Sequence, residues 1–306
     1  MKQRSSSAGR LTRLERNQRT TGLFFILPSL VLCFTFMIIP LVNVIRYSLT
    51  DWDGLSKSYN FVGLYNYMHL NEIEGFGEMM FATITFAVGV TIITVVVAFL
   101  AALALDKKGT GRLPRGLMRS LWFFPALLSG AVVGILWRIM YNYNNGVINK
   151  IITSAGLPAV NWLETRGVTN IAIIIGAAWV QIGLCVVVFL AGLQAIPQDL
   201  YEAAAIDGAT PRQQLKHITI PMMASSITIN VITTTIAAFK AYELPYLISK
   251  GLPGHSTLLI TQRIFFFGFQ AFDYGRGSAL SVVLLLIIAL ISLVQLVVLR
   301  KREDIF

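Results

Sequence analysis

A chain of 306 residues that is 55% hydrophobic and only 13% charged lacks the polar surface of a water-soluble globule, and its length suits one integral membrane domain. The formal charge of +10 sits in clusters that flank apolar runs rather than on one folded basic face, which argues for membrane topology and against nucleic-acid binding. Cys33 and Cys185 both lie inside apolar runs, and His69, His217 and His255 fall in three different loops, so no disulfide framework or metal cluster is indicated.

The chain opens on a basic tail, residues 1–20, holding Lys2, Arg4, Arg10, Arg13, Arg16 and Arg19. Six stretches then reach the length of about 20 mainly apolar residues that a membrane helix needs. They are 21–41, 82–105, 121–141, 171–196, 218–239 and 278–299. The first is longer than the roughly 7–15 residues of a signal-peptide core and no small-x-small cleavage site follows, so it is expected to be retained. None shows strand alternation, which excludes a membrane β-barrel. The expected architecture is all-α, with one six-helix domain over 21–300 and a short tail at 301–306.

Lys and Arg near span ends resist translocation, so their distribution sets orientation. The connector after the first span carries Asp51, Asp53, Glu72, Glu74 and Glu78 against Lys57, and is expected outside. The next connector carries Lys107, Lys108, Arg112, Arg115 and Arg119, and is expected in the cytoplasm with both tails. Gly130 and Gly134 in the third span, and Gly176 with Ala177 and Ala178 in the fourth, are small residues that let helices approach closely.

Polar groups within spans are costly and mark either solute pathways or interhelical hydrogen bonds. Gln181 in the fourth span and Asn230 in the fifth are the clearest, and the depth of Asn230 also suits helix pairing. At the outer end of the fifth span, Phe239, Lys240, Tyr242 and Glu243 combine aromatic faces with charged ends. Such a mixture suits a pathway for a polar solute, although an interfacial aromatic belt with snorkelling charges has the same composition.

Between the fourth and fifth spans lies a polar hairpin, residues 197–221. Glu202, Ala203, Ala204 and Ala205 favour helix, and Gly208 can take the left-handed conformation that ends one. Thr210, Pro211 and Gln213 then read as an N-cap, a first-turn proline and the return partner of a capping box, so a second helix is expected to start there. Pro221 stands where the chain re-enters an apolar run. No phosphate-cradling Gly-rich loop, zinc-spaced His pair or Gly-x-Ser-x-Gly elbow is present, so the chain is expected to catalyse nothing and to bind no cofactor.

The hairpin sequence YEAAAIDGATPRQQLKHITIP resembles the EAA motif of the membrane subunits of bacterial ATP-binding-cassette importers, with isoleucine at Ile220 in place of the usual leucine. FFILPSLVLCFTFMIIP, LMRSLWFFPALLSGAVVGILWR and FKAYELPYLISKGLPGHST are similar to segments of the carbohydrate branch, the first permeases of maltose and glycerol-3-phosphate importers. Tyr242-Glu243 stands where those relatives often have Phe-Asp. The resemblance implies a cytoplasmic coupling helix in which Glu202, Ala203, Ala204, Asp207, Gly208, Ala209 and Pro221 dock on a separate ATPase dimer that carries ATP and Mg. It also implies a second, homologous permease, an extracytoplasmic solute-binding protein, a sugar substrate and residence in the bacterial cell membrane. A different class, an ion- or proton-coupled secondary transporter, would show repeat symmetry and mid-span acidic residues, and neither is visible. An integral membrane enzyme would need a catalytic cluster, which is also missing.

Overall fold

A computed structural model describes residues 13–106 and 115–303. Lys2, Arg4 and Arg10 of the amino tail, Lys107, Lys108 and Arg112 of the basic connector, and residues 304–306 lie outside the described residues. Among the described residues there are helices and one isolated bridge, Thr50 to Phe61, but no strand.

A helical run beginning at Arg13 carries the first apolar span, α1 (Phe24–Tyr47), which is interrupted by a π turn over Phe34–Ile38. No part of its most apolar window is buried within the chain, so lipid or a neighbouring subunit must cover it. Its outer end is tied down: the Tyr47 ring lies 4.2 Å from that of Trp52 and 6.0 Å from that of Tyr274. The second and fourth spans are α2 (Phe76–Asp106) and, further on, a long helix over Val168–Gln194. Between them run α3 (Arg115–Phe123) and α4 (Gly130–Met140); the Val168–Gln194 helix is α5. The hairpin follows as α6 (Gln198–Ile206) and α7 (Pro211–Met222), then α8 (Ala224–Phe239), α9 (Glu243–Ser249), α10 (Ile260–Phe269) and α11 (Tyr274–Glu303).

Among the described residues, four helices are long and apolar enough to cross a membrane, and six spans result when each of two bent pairs counts as one. The bends correct the expected third and fifth spans. The helix containing Gly116–Leu127 meets α4 at 99°, where an unbroken 121–141 was expected. Pro125 sits in a 3₁₀ turn, Leu128 is extended, and the Ser129 hydroxyl accepts from Val132 N at 3.3 Å, so one helix stops and another is capped afresh. Likewise α7 meets α8 at 64° at Met223, and residues 218–222 belong to the hairpin arm rather than to the fifth span. Pro221 and the π turn Leu215–Thr219 disturb the helical ladder just before that bend.

Two apolar clusters hold the bundle. The outer one joins Phe86 and Val90 of α2, Ile173 and Ala177 of α5, Phe239 of α8, Ile248 of α9 and Leu280 of α11. The inner one joins Ala98 and Ala102 of α2 to Cys185, Val186 and Phe189 of α5 and to Met223, with Met118, Tyr201 and Ile218 packed against it. Close approach uses the small residues: a Cβ added at Gly134 would sit 2.8 Å from Leu247 Cβ of α9, and one at Gly176 would sit 2.9 Å from Ile248 Cδ1.

Candidate functional site

The elbow of the hairpin is closed by local backbone hydrogen bonds. Gly208 has φ of 81°, Ala209 N donates to Ala204 O at 2.8 Å, and Gly208 N donates to Ala205 O at 3.1 Å. These paired bonds satisfy carbonyls that the end of α6 would otherwise leave open. The second arm starts with the reciprocal box expected from the sequence. Thr210 N donates to Gln213 Oε1 at 2.8 Å, and Gln213 N donates to Thr210 Oγ1 at 3.4 Å.

Side chains then lock the two arms together. The Tyr201 hydroxyl meets Thr219 Oγ1 at 2.9 Å, and Gln214 Nε2 donates to Tyr201 O at 3.3 Å. At the base a cavity of about 470 Å³ is lined by Asp106 at the end of α2, Leu193 of α5, and Tyr201 and Arg212 of the hairpin. The hairpin therefore sits at the end of the bundle where the basic connector begins. Its tip faces away: Glu202, Ala203, Asp207 and Gly208 are exposed, and Ile206 is 86% exposed, while Ala204, Ala209 and Pro221 are half-buried. Ile206 is the most exposed of the large apolar side chains in the hairpin.

The opposite end gathers the acidic connector. Asn66 Nδ2 donates to Ser48 O and Thr50 O at 2.9 and 2.8 Å, and Gly275 N donates to Trp52 O at 2.9 Å, fastening the connector to α11. Hydrogen bonds from the Asn60 side chain and backbone hold Asp51 below the usual carboxylate range. The Ser56 hydroxyl and the backbone N–H groups of Ser56 and Leu55 bring Asp53 down to about 2. Arg166 pairs with Glu78 at 2.9 Å across the mouth of a cavity of about 490 Å³.

The six candidate pathway residues divide into separate environments. Asn230 is 1% exposed and its Nδ2 donates to Cys185 O at 3.3 Å, so it pairs α8 with α5. Gln181 is half-buried on α5. Phe239 is buried in the outer cluster and touches an apolar cavity of about 380 Å³ between α2, α8 and α11. Lys240 is exposed. Tyr242 is half-buried, with its ring 5.7 Å from and nearly parallel to Tyr246 and 4.9 Å from Phe265. Glu243 is exposed and its carboxylate lies beside Gly130 at the first turn of α4, where helix N–H groups favour negative charge.

Two polar groupings escaped the sequence reading. Thr91, Thr235 and Gln295 join α2, α8 and α11 along the 380 Å³ cavity, with Thr91 Oγ1 and Thr235 Oγ1 at 3.3 Å and Gln295 Nε2 donating to Thr235 Oγ1 at 3.0 Å. Gln295 stands inside an apolar run and could have been found by the same rule that found Gln181. Gln262, in the segment between the fifth and sixth spans, gave no such signal.

Comparison with known proteins places this geometry. Residues 18–303 match the family described as the binding-protein-dependent transport system inner membrane component. The trehalose/maltose transport system permease protein MalF of Thermococcus litoralis is 32% identical over 293 residues, covering 96% of this chain and 98% of that protein. A protein of Thermoanaerobacterium thermosulfurigenes described as a probable starch degradation products transport system permease, AmyD, is 32% identical over 279 residues, covering 91% and 94%. A chain of a bacterial alginate ABC transporter, solved in complex with an alginate pentasaccharide-bound periplasmic protein, shares the fold with a TM-score of 0.80. It is 19% identical, and the match covers 95% of this chain and 99% of that one.

Proposed function

This chain belongs to the family of binding-protein-dependent transport system inner membrane components, a multi-pass membrane family, and from that premise we propose that it carries sugar across the bacterial cell membrane as one permease of an ATP-binding-cassette importer. A second, homologous permease forms the other half of the pathway and offers cover for α1. ATP hydrolysis belongs to a separate ATPase dimer, which binds ATP and Mg, and an extracytoplasmic binding protein delivers the solute.

The hairpin carries this reading. It is capped at both turns, locked by Tyr201 and Thr219, and leaves Ile206 and Glu202 exposed at its tip. A rigid, exposed, partly apolar knob suits docking into a cleft, and Asp207, Gly208 and Ala209 shape its elbow while Ala203 and Ala204 keep its first arm slim. Closure of the ATPase dimer would push this lever, and the 64° joint at Met223 would pass the motion into α8. Solute would meet Tyr242 and Glu243 near the outer mouth and Phe239 and Gln181 deeper in the bundle. Affinity purification of the chain from its native membrane tests the assembly: an ATPase subunit should accompany it in equal or greater amount, and a chain that purifies and transports alone contradicts the reading.

A further inference from the structure

Glu78 in the first turn of α2 and Arg166 just before α5 are both exposed, and Arg166 Nη2 donates to Glu78 Oε1 at 2.9 Å. That bond engages one oxygen and one nitrogen, so among the described residues Glu78 Oε2 and the other guanidinium nitrogens have no protein partner. The pair lines a cavity of about 490 Å³ together with Gly77, Phe81, Asn170 and Ser256. The Ser256 hydroxyl already donates to Pro253 O at 2.7 Å and is left as an acceptor, while the half-buried Asn170 amide has a donor to offer. Because α2 follows the acidic connector, this polar cavity stands at the outer end of the helix.

An apolar groove continues from it along the same face of α2. At 3.6 residues per turn, Gly77 and Phe81 of the polar cavity fall on one stripe with Ile84, Val88, Ile92 and Val96. Those last four are exposed, and they line the cavity of about 380 Å³ between α2, α8 and α11. The Thr91 and Thr235 hydroxyls there donate within their own helices, to Ala87 O at 2.8 Å and Val231 O at 2.7 Å, so the groove suits an apolar occupant. Val88 lies about 15 Å along the helix from Glu78, and half of a roughly 30 Å hydrocarbon core is the same distance. A charged cradle at the membrane surface, with an apolar groove running from it to mid-membrane, has the layout of a phospholipid.

Charge selects the headgroup. An anionic headgroup would satisfy Arg166 but face Glu78, and a saccharide would use the polar cavity but leave the groove beneath it empty. A phosphoethanolamine group carries both signs: its phosphate suits Arg166 and Asn170, and its ammonium, with three N–H donors, suits Glu78 and Ser256. We propose that the Glu78–Arg166 cavity and the α2 groove below it form a binding site for one outer-leaflet phospholipid with a phosphoethanolamine headgroup. The headgroup bridges the outer ends of α2 and α5, and one acyl chain fills the gap toward α8 and α11. The site requires only that the chain spans the membrane, so it holds whatever solute crosses.

The test uses the assembled complex, purified in detergent and stripped of lipid, with bound lipid counted by native mass spectrometry. The probes are dioleoyl phosphatidylethanolamine, dioleoyl phosphatidylcholine, which lacks the ammonium N–H groups, dioleoyl phosphatidylglycerol, which is anionic, and dioleoylglycerol, which has no headgroup. The ethanolamine lipid should be retained about tenfold more tightly than the other three, the worth of one hydrogen bond to a charged group. Glu78→Gln combined with Arg166→Gln removes both charges and should abolish that preference while leaving the apolar groove in place. A Cβ at Gly77 would meet nothing within 4 Å, so Gly77→Trp fills the cavity without disturbing the packing around it. That variant should retain the ethanolamine lipid about tenfold less tightly although both charges remain. Equal retention of the four lipids, preference for the anionic one, or a preference that either variant leaves unchanged would overturn the site. So would a helix of the partner permease lying along Ile84 to Val96 in a structure of the complex. Loss of assembly in both variants would make the cavity a packing contact and overturn it as well.

Discussion

The hydroxyl of Tyr201 on α6 meets the buried Thr219 Oγ1 on α7 at 2.9 Å, joining the two arms of the hairpin at the end nearest the bundle. The elbow at Gly208 and this bond therefore hold the two arms to each other at opposite ends. In the importer proposed above, a force applied at Ile206 would reach Met223 through this braced pair of helices.

Removing that brace should weaken the coupling without unfolding the span. Tyr201→Phe keeps the ring in the inner cluster and loses one hydrogen bond, at a cost of about 1 kcal/mol. The expected result is a normally inserted and assembled complex with fewer sugars transported per ATP hydrolysed, measured as the uptake-to-phosphate ratio in proteoliposomes. An unchanged ratio would mean that the bond plays no part in transmission.

The elbow allows a cleaner separation of backbone from side-chain effects. A Cβ added at Gly208 would meet nothing within 4 Å, so a substitution acts through φ of 81° alone. Gly208→Val should cost about 1–2 kcal/mol and sharply reduce solute-stimulated ATP hydrolysis, and Gly208→Asn, which tolerates the left-handed region, should retain most of it. Glu202→Lys should abolish stimulation while leaving insertion intact.

Glu243 and Gly130 form a second testable pair. A Cβ at Gly130 would lie 2.9 Å from Glu243 Oε2, so Gly130→Ala should displace the carboxylate from the first turn of α4. Combining it with Glu243→Ala should relieve the clash, giving a non-additive thermal-stability cycle of about 0.5–3 kcal/mol. Additive effects would separate the two residues. If Glu243 contacts solute, Glu243→Ala also lowers uptake on its own.

The outer connector has a pH signature. Asp53 is held at about 2 by bonds from Ser56 and Leu55, below its ordinary value of 3.8. A carboxylate whose folded pKa is depressed stabilises the fold fully above the unfolded value and progressively less as pH falls through the folded one. The turn should therefore be insensitive to pH above 4 and loosen between 3.8 and about 2. Trp52 reports on it, because its Nε1 donates to Ser56 O at 2.9 Å. The difference in fluorescence between the parent and Trp52→Phe should follow that window, and Asp53→Asn should flatten it.

Legibility from sequence followed the range of the interactions involved. The elbow at Gly208 and the Thr210–Gln213 box are set by residues within three or four positions of each other, so their chemistry could be read directly. The spans were visible because a bilayer demands apolar length. The break at Leu128 was missed although Pro125 and Ser129 flank it, because the apolar run is unbroken there and hydropathy does not report direction. Asn230 could be placed at helix-pairing depth, but its bond to Cys185 O depends on how α8 lies against α5. Gln262 was not legible at all: a glutamine between spans gives no sign that folding will bury it with its amide unpaired.

Cysteine cross-linking from the hairpin tip tests the central claim most directly. In a chain carrying Cys33→Ser and Cys185→Ser, an Ile206→Cys substitution places one thiol at an 86% exposed position. The account predicts that a short bifunctional reagent links this thiol to the ATPase subunit in the assembled importer, with a yield that changes when ATP is added. Modification of the same thiol by a membrane-impermeant reagent applied outside intact cells, with no ATPase adduct formed, would contradict it.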